Sequence, residues 1–208
     1  MVRIGLTGGI ATGKTTMTRH LRSLGIPVIE ADVVSREVLE IYPEIGEYLR
    51  STYGEAIYEN GVLDRKALGR IIFQSEDHRK RYRDVIMPRI RQEIEKRLRE
   101  TQDELVVLDA PLLFEEDFQK DVDVTITVYA REEVQLARLM ERDGYTKDEA
   151  RRRIAAQMDL REKMRLSDFV IDNSGSLEDS LQELDGILER IGIDYGKEKK
   201  IEKETKDI

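Results

Sequence analysis

The chain is expected to fold as an α/β protein, a five-stranded parallel sheet flanked by helices, with one long helical insertion and a lid. Three observations lead there. Short runs of Val, Ile and Leu alternate with longer amphipathic segments, as strands buried on both faces and their crossover helices do. A glycine-rich string joins the first run to the first helical segment. More than seventy residues of largely helical pattern then separate the second run from the third, far more than one crossover requires.

The five runs are residues 2–7, 27–30, 105–109, 124–129 and 168–171, each rich in Val, Ile or Leu as a doubly buried strand should be. The first helix is expected over residues 14–24 and is closed by Gly25, a residue able to take the left-handed turn that ends a helix. Residues 131–142 and 177–191 carry apolar side chains at helical spacing and stop near Gly144 and Gly192. On this reading the core comprises residues 1–32, 105–142 and 166–192, the helical insertion residues 33–104 and the lid residues 143–165. Residues 193–208 form a charged tail, almost entirely charged from Lys197 to Asp207, and are expected to fray.

Composition narrows the function. Of 208 residues, 39% are hydrophobic and 38% charged, and no apolar run approaches the length of a bilayer span, so no membrane role is expected. The net charge of -8 repels a phosphate backbone, which disfavours nucleic-acid binding. Cysteine is absent, which excludes disulfides and thiolate metal sites and makes the cytoplasm the expected compartment. The start lacks the basic stretch and long apolar segment of a secretion signal, so the mature chain is expected to begin at Met1.

The strongest motif is Gly8-Gly9-Ile10-Ala11-Thr12-Gly13-Lys14-Thr15, a full match to the phosphate-loop pattern G-x-x-x-x-G-K-[ST] between a strand and a helix. Glycines let the backbone curl so that successive N–H groups point inward, and the following helix adds its positive end. Lys14 then serves the outer phosphates of ATP, the Thr15 hydroxyl is placed to ligate Mg²⁺, and Thr16 is expected at the innermost phosphate. Gly8, Gly9, Ala11, Thr12 and Gly13 complete the loop that holds ATP.

Two carboxylates follow strands. Asp32 lies just after the second run and Asp109 ends the third, so both are expected at the carboxyl edge of the sheet, where such folds bind ligands. Asp32 is the candidate for orienting an acceptor hydroxyl or taking its proton; its other reading is a helix cap. Asp109 either acts on magnesium through water or has a capping or structural role. Arginines and lysines cluster after the fourth run, and most read as solvated surface. Arg142, beside Asp143-Gly144, is the one best placed to close over a transferring phosphoryl group. Arg138 lies four residues earlier on the same helix face. His20 and His78 have no partners at ligand spacing and are assigned no metal.

Several stretches together resemble the dephospho-coenzyme A kinase family, over about residues 2–190. Gly5-Leu6-Thr7-Gly8-Gly9-Ile10 is similar to the family's start, and Glu30-Ala31-Asp32 with Arg36 to its acidic segment. Leu63-Asp64-Arg65 with Leu68 also fits, and Asp109-Ala110-Pro111-Leu112-Leu113-Phe114-Glu115 resembles the most distinctive segment. Arg153-Ile154-Ala155-Ala156-Gln157-Met158 through Asp172-Asn173-Ser174-Gly175 resembles the lid and last strand. The resemblance implies an adenylate-kinase-like P-loop fold. It also implies transfer of the terminal phosphate of ATP, with Mg²⁺, to the ribose 3′-hydroxyl of dephospho-coenzyme A. Catalytic roles then map onto Lys14, Asp32 and Arg142, with Asp32 as the carboxylate proposed as base. Arg138 and Asn173 join the ATP-binding residues. Asp32, Arg36, Asp109, Leu112, Leu113 and Phe114 are expected at the acceptor.

The sequence departs from the family pattern at three places. Glu30 replaces the usual first Asp, Ala11 a loop glycine, and Met87-Pro88 a common His-Pro pair. Ala11 is harmless at ordinary backbone angles and strained at positive φ; Met87 marks either an altered substrate contact or a helix-entry feature. Other classes share the loop. A switch GTPase requires an [NT]-K-x-D reader, and Thr146-Lys147-Asp148-Glu149 has its acid misplaced. A kinase for another small acceptor is the main alternative, and a nonenzymatic nucleotide-binding module the third.

Overall fold

In the computed structural model, which describes residues 1–192, the five apolar runs form one sheet whose paired strands run parallel. Along the chain come β1 (Val2–Gly8), α1 (Lys14–Ser23), β2 (Val28–Glu30), α2 (Ala31–Ile41), α3 (Pro43–Tyr53), β3 (Tyr58–Glu59), β4 (Val62–Leu63), α4 (Arg65–Ile72) and α5 (Glu76–Glu100). Then follow β5 (Leu105–Asp109), β6 (Val124–Tyr129), α6 (Glu132–Asp143), α7 (Lys147–Ala155), α8 (Leu160–Leu166), β7 (Phe169–Asp172) and α9 (Leu177–Arg190). The five long strands and helices α1, α6 and α9 begin and end within one residue of the expected segments. The charged tail, residues 193–208, lies outside the described residues. No helix among those described is long and apolar enough to cross a membrane. The chain divides into two compact units: Met1–Ile29 with the described residues from Thr101 onward, and Glu30–Glu100.

The sheet of the first unit has the order β2-β5-β1-β6-β7, with β1 central. Leu6 stands opposite Asp109 on one side, and Gly8 opposite Val128 on the other. A central strand is buried on both faces, and Ile4 through Gly8 and all of β5 are buried. Ile4 and Leu6 of β1, Val107 of β5 and Ile126 and Val128 of β6 pack with Met17 and Leu21 of α1 and Leu184, Ile187 and Leu188 of α9. Each such side chain contributes about 1.5–3 kcal/mol on burial, so the end of β1, where the phosphate loop starts, rests on the packed core of the unit. Gly5 serves packing: a Cβ there would stand 2.9 Å from Leu113 and 3.1 Å from Val122.

The second unit is helical, with α5 packed against α2 and α4. Ile86, Ile90, Ile94 and Leu98 recur every four residues along α5 and are buried, the stripe that lets a highly charged helix anchor a core. Glu93 on the same helix is buried but satisfied: Arg97 Nε donates to its carboxylate at 2.9 Å, and Tyr42 Oη does so at 3.4 Å. Two features depart from the helical expectation. β3 and β4 form an antiparallel hairpin around Asn60-Gly61, whose φ values of 51° and 80° suit the tight turn that Asn-Gly favours. Pro88 sits inside α5, where it cannot donate a helical hydrogen bond. Met87-Pro88 is therefore not a helix-entry feature.

Burial also pushes the Tyr82 phenol up to about 12, partly opposed by Arg65. The ordinary value is about 10, and a folded-state value above the unfolded one leaves stability intact below it. That stability is lost as pH rises from about 10 through about 12, because the unfolded chain sheds the proton first. Tyr82→Phe is expected to lessen the loss of unfolding free energy over that window, as read by denaturant titration of both proteins at each pH.

Candidate active site

The loop between β1 and α1 is shaped from its carbonyl side. Arg138 of α6 donates through Nη1 to the carbonyls of Ala11 (3.2 Å) and Thr12 (3.3 Å), and through Nη2 to that of Asn173 (2.9 Å). Asn173 Nδ2 donates to the Thr12 carbonyl at 2.7 Å, and its Oδ1 accepts from Ser180 at 3.0 Å. Gln135 Nε2 donates to the Ile10 carbonyl, and the Ile10 N–H donates to Gln157 Oε1, both at 2.7 Å. With the Ile10, Ala11 and Thr12 carbonyls taken up, the loop offers to an anion those amides not committed to Gln157 or the Gly9 carbonyl, and no side chain caps α1, whose first N–H groups add to the same positive site.

Arg138 and Asn173, expected as ATP ligands, here hold the loop itself. Asn173 is only 4% exposed, and its amide bonds the Thr12 carbonyl. Gly13 has φ 93°, and a Cβ on it would stand 2.0 Å from Asn173 Nδ2. Gly13→Ala is therefore expected to cost about 2 kcal/mol or more through left-handed strain and a displaced buried amide, with a parallel loss of ATP affinity; chemical denaturation and calorimetric titration with ATP check both. Ala11 lies in the same strained region, at φ 59°, the case in which a side chain costs about 1–2 kcal/mol. With Ile10, Tyr145 and Ile154 it packs against Leu136, Leu139 and Ala150, which offsets part of the strain.

Behind the loop, Lys14 Nζ forms an ion pair with Asp109 Oδ1. The second oxygen of Asp109 accepts from Thr18 Oγ1 at 2.6 Å. Thr18, one turn after Lys14 on α1, is a site residue the sequence reading missed; its i+4 spacing from the lysine was the available signal. The Asp109 side chain is 5% exposed and caps no helix. It holds the phosphate-loop lysine against the end of the sheet. Thr15 is exposed and makes no side-chain hydrogen bond among the described residues, and Thr16 is half-buried.

The segment after Asp109 divides by exposure. Leu112 is 46% exposed and Phe114 half-buried, but Leu113 is fully buried against Gly5. Leu113, expected at the acceptor, thus belongs to the core: its side chain fills the space that the missing Cβ of Gly5 leaves. Lys163, read from sequence as one charge in a surface run, is also buried. Its ammonium donates to the Pro111 carbonyl at 2.6 Å and pairs with Glu115 Oε1 at 2.8 Å. Arg142 does not reach the loop here. Its Nε and Nη2 donate to the neighbouring Asp143 carboxylate at 2.9 and 2.7 Å, a pairing that raises the Arg142 pKa and lowers that of Asp143.

In the second unit, Asp32 sits in the first turn of α2, two residues past the end of β2. It is exposed, and its carboxylate has no hydrogen-bond or ion-pair partner among the described residues. The helix-cap reading fails, because the cap position is Glu30 and no side chain caps that end. Arg36, one turn later, is exposed, and its carbonyl accepts from Arg65 at 3.0 Å.

No group of three or more His, Cys, Asp or Glu side chains among the described residues could hold a metal. The Thr15 hydroxyl and the Asp109 carboxylate are hard oxygen donors, the sparse set that suits Mg²⁺ brought in by substrate phosphates rather than a protein cage.

The family model described as dephospho-CoA kinase matches residues 2–179. A dephospho-CoA kinase of Clostridium tetani is 41% identical over 195 residues, which is 91% of this chain and 86% of that protein. Among solved structures, TT1252 from Thermus thermophilus superposes with a TM-score of 0.79 at 34% identity, covering 91% of this chain and 97% of that one. Dephospho-CoA kinase from Campylobacter jejuni gives a TM-score of 0.66 at 27% identity, covering 91% and 96%. The family model covers residues 2–179 and the Clostridium tetani relative 91% of the chain, and the chain belongs to the dephospho-CoA kinase family.

Proposed function

We propose that this chain transfers the terminal phosphoryl group of ATP to the ribose 3′-hydroxyl of dephospho-coenzyme A, giving coenzyme A and ADP. The acceptor oxygen bonds to the terminal phosphorus, the bond from that phosphorus to the bridging oxygen breaks, and ADP leaves with the electron pair. The observation that carries the reading is the phosphate loop with its lysine held ready on a buried carboxylate, in a chain of this family. Loop amides and the start of α1 grip the phosphates, and Lys14 moves from Asp109 to the outer ones. Mg²⁺, arriving with ATP and held by the Thr15 hydroxyl, would neutralise phosphate charge.

Asp32, exposed and unpartnered among the described residues, orients the acceptor hydroxyl and accepts its proton, and Arg36 offers a cation to the acceptor's phosphates. Residues 33–104 serve as acceptor domain and residues 143–165 as lid, with Arg142 released from Asp143 when the lid closes over the transferring group. The setting is the cytoplasm, and no nucleic-acid partner is proposed, in line with the net charge of -8.

The test is an acceptor screen read by product mass, with Mg²⁺-ATP and dephospho-coenzyme A, a nucleoside monophosphate or shikimate. Coenzyme A as the dominant product supports the reading. Turnover of another acceptor instead replaces it, and ATP binding without any phosphorylated product points to a nonenzymatic module.

A further inference from the structure

A lysine side chain only 2% exposed is the least expected feature of the first unit. Lys163 lies on α8, whose neighbouring charges Arg161, Glu162 and Arg165 are exposed. An ammonium taken out of water is strongly unfavourable unless it is paired and hydrogen-bonded. Here it is both, and both partners lie in one short segment: the Pro111 carbonyl at 2.6 Å and Glu115 Oε1 at 2.8 Å.

The two parts of that segment are held by different means. Asp109 belongs to the sheet, in register with Leu6, and the Ala110 N–H donates to the Leu6 carbonyl at 3.0 Å. After Ala110 the chain leaves the sheet. Leu113 anchors it beneath Gly5, and Thr7 Oγ1 donates to the Pro111 carbonyl at 3.2 Å. Lys163 adds the only ammonium on that carbonyl among the described contacts, and it reaches the segment from α8, the helix at the end of the proposed lid. Leu112 and Phe114, which expose apolar surface, lie between its two points of attachment.

We propose that Lys163 is a positioning residue for the acceptor. By fixing the Pro111 carbonyl and the Glu115 carboxylate it sets where Leu112 and Phe114 meet dephospho-coenzyme A, without touching the substrate itself; this rests on the reaction proposed above. Because Asp109 is held by the sheet, Lys14 and the ATP side of the site do not depend on Lys163. The role therefore separates the two substrates, which a merely structural lysine would not do.

The experiment compares the full-length parent with Lys163→Met, Lys163→Arg and the double variant Lys163→Met/Glu115→Gln, whose second change removes the charge that Lys163 balanced should the single variant fold poorly. In whichever methionine variant folds, the KM for dephospho-coenzyme A is expected to rise about tenfold or more, the order that a small displacement of a contact produces. ATP affinity, measured calorimetrically without acceptor, is expected to stay within about twofold because the phosphate loop is untouched. Lys163→Arg is expected to recover part of the acceptor KM. A folded methionine variant with the parental acceptor KM, or one that loses ATP affinity equally, overturns the proposal. A parent that forms no coenzyme A removes the substrate assignment and the proposal together, whereas an active parent alongside an unaffected variant removes only the role of Lys163.

Discussion

Lys14→Ala is expected to lower kcat/KM by about a hundred- to a thousandfold, the loss that follows when one preorganised charge is removed from a transferring group. The same change acts on the resting protein. Asp109 keeps only the bond from Thr18, and removing one member of a buried ion pair leaves the other charge poorly compensated, at a cost of about 3 kcal/mol or more. Activity and stability are therefore expected to fall together. Steady-state kinetics and urea unfolding on the same preparation check this, and a variant with parental turnover contradicts the assignment of the loop.

Asp32→Asn is expected to behave differently. It should cut kcat by about a hundredfold or more, the usual contribution of a positioned general base, while ATP affinity and unfolding free energy stay near parental values. The reason is local: Asp32 is exposed and unpartnered among the described residues, and surface changes away from caps, pairs and cores usually stay within about 0.5 kcal/mol. Kinetics with saturating ATP, together with thermal unfolding, separate the two effects. Equal kcat for variant and parent removes Asp32 from the mechanism.

The features legible in the sequence were those carried by adjacent residues. The doubly buried strands announce themselves as short apolar runs, and the phosphate loop as eight consecutive residues. Features that depend on distant contacts were not legible. Lys163 reads as one charge among many until Glu115 is brought to it by the packing of α8. That Asn173 and Arg138 also bond loop carbonyls becomes visible only once the fold brings them to the loop. Leu113 lies beside an exposed leucine in the same segment, and only the absent Cβ of Gly5 explains why it turns inward. The hairpin at Asn60-Gly61 had a local signal that the surrounding helical pattern masked.

The union of Lys14 with Asp109 makes nucleotide entry an exchange of counter-ions. Before ATP arrives, the lysine's charge is neutralised internally, so the empty loop is less attractive to stray anions than its sequence suggests. If the lysine transfers to the phosphates as proposed, Asp109 would keep only the Thr18 hydroxyl as partner, and its carboxylate would repel a highly anionic ligand close by. A divalent cation entering with the nucleotide would cancel that repulsion, so on the proposed reading the resting ion pair would favour the metal-loaded form of ATP over the free one.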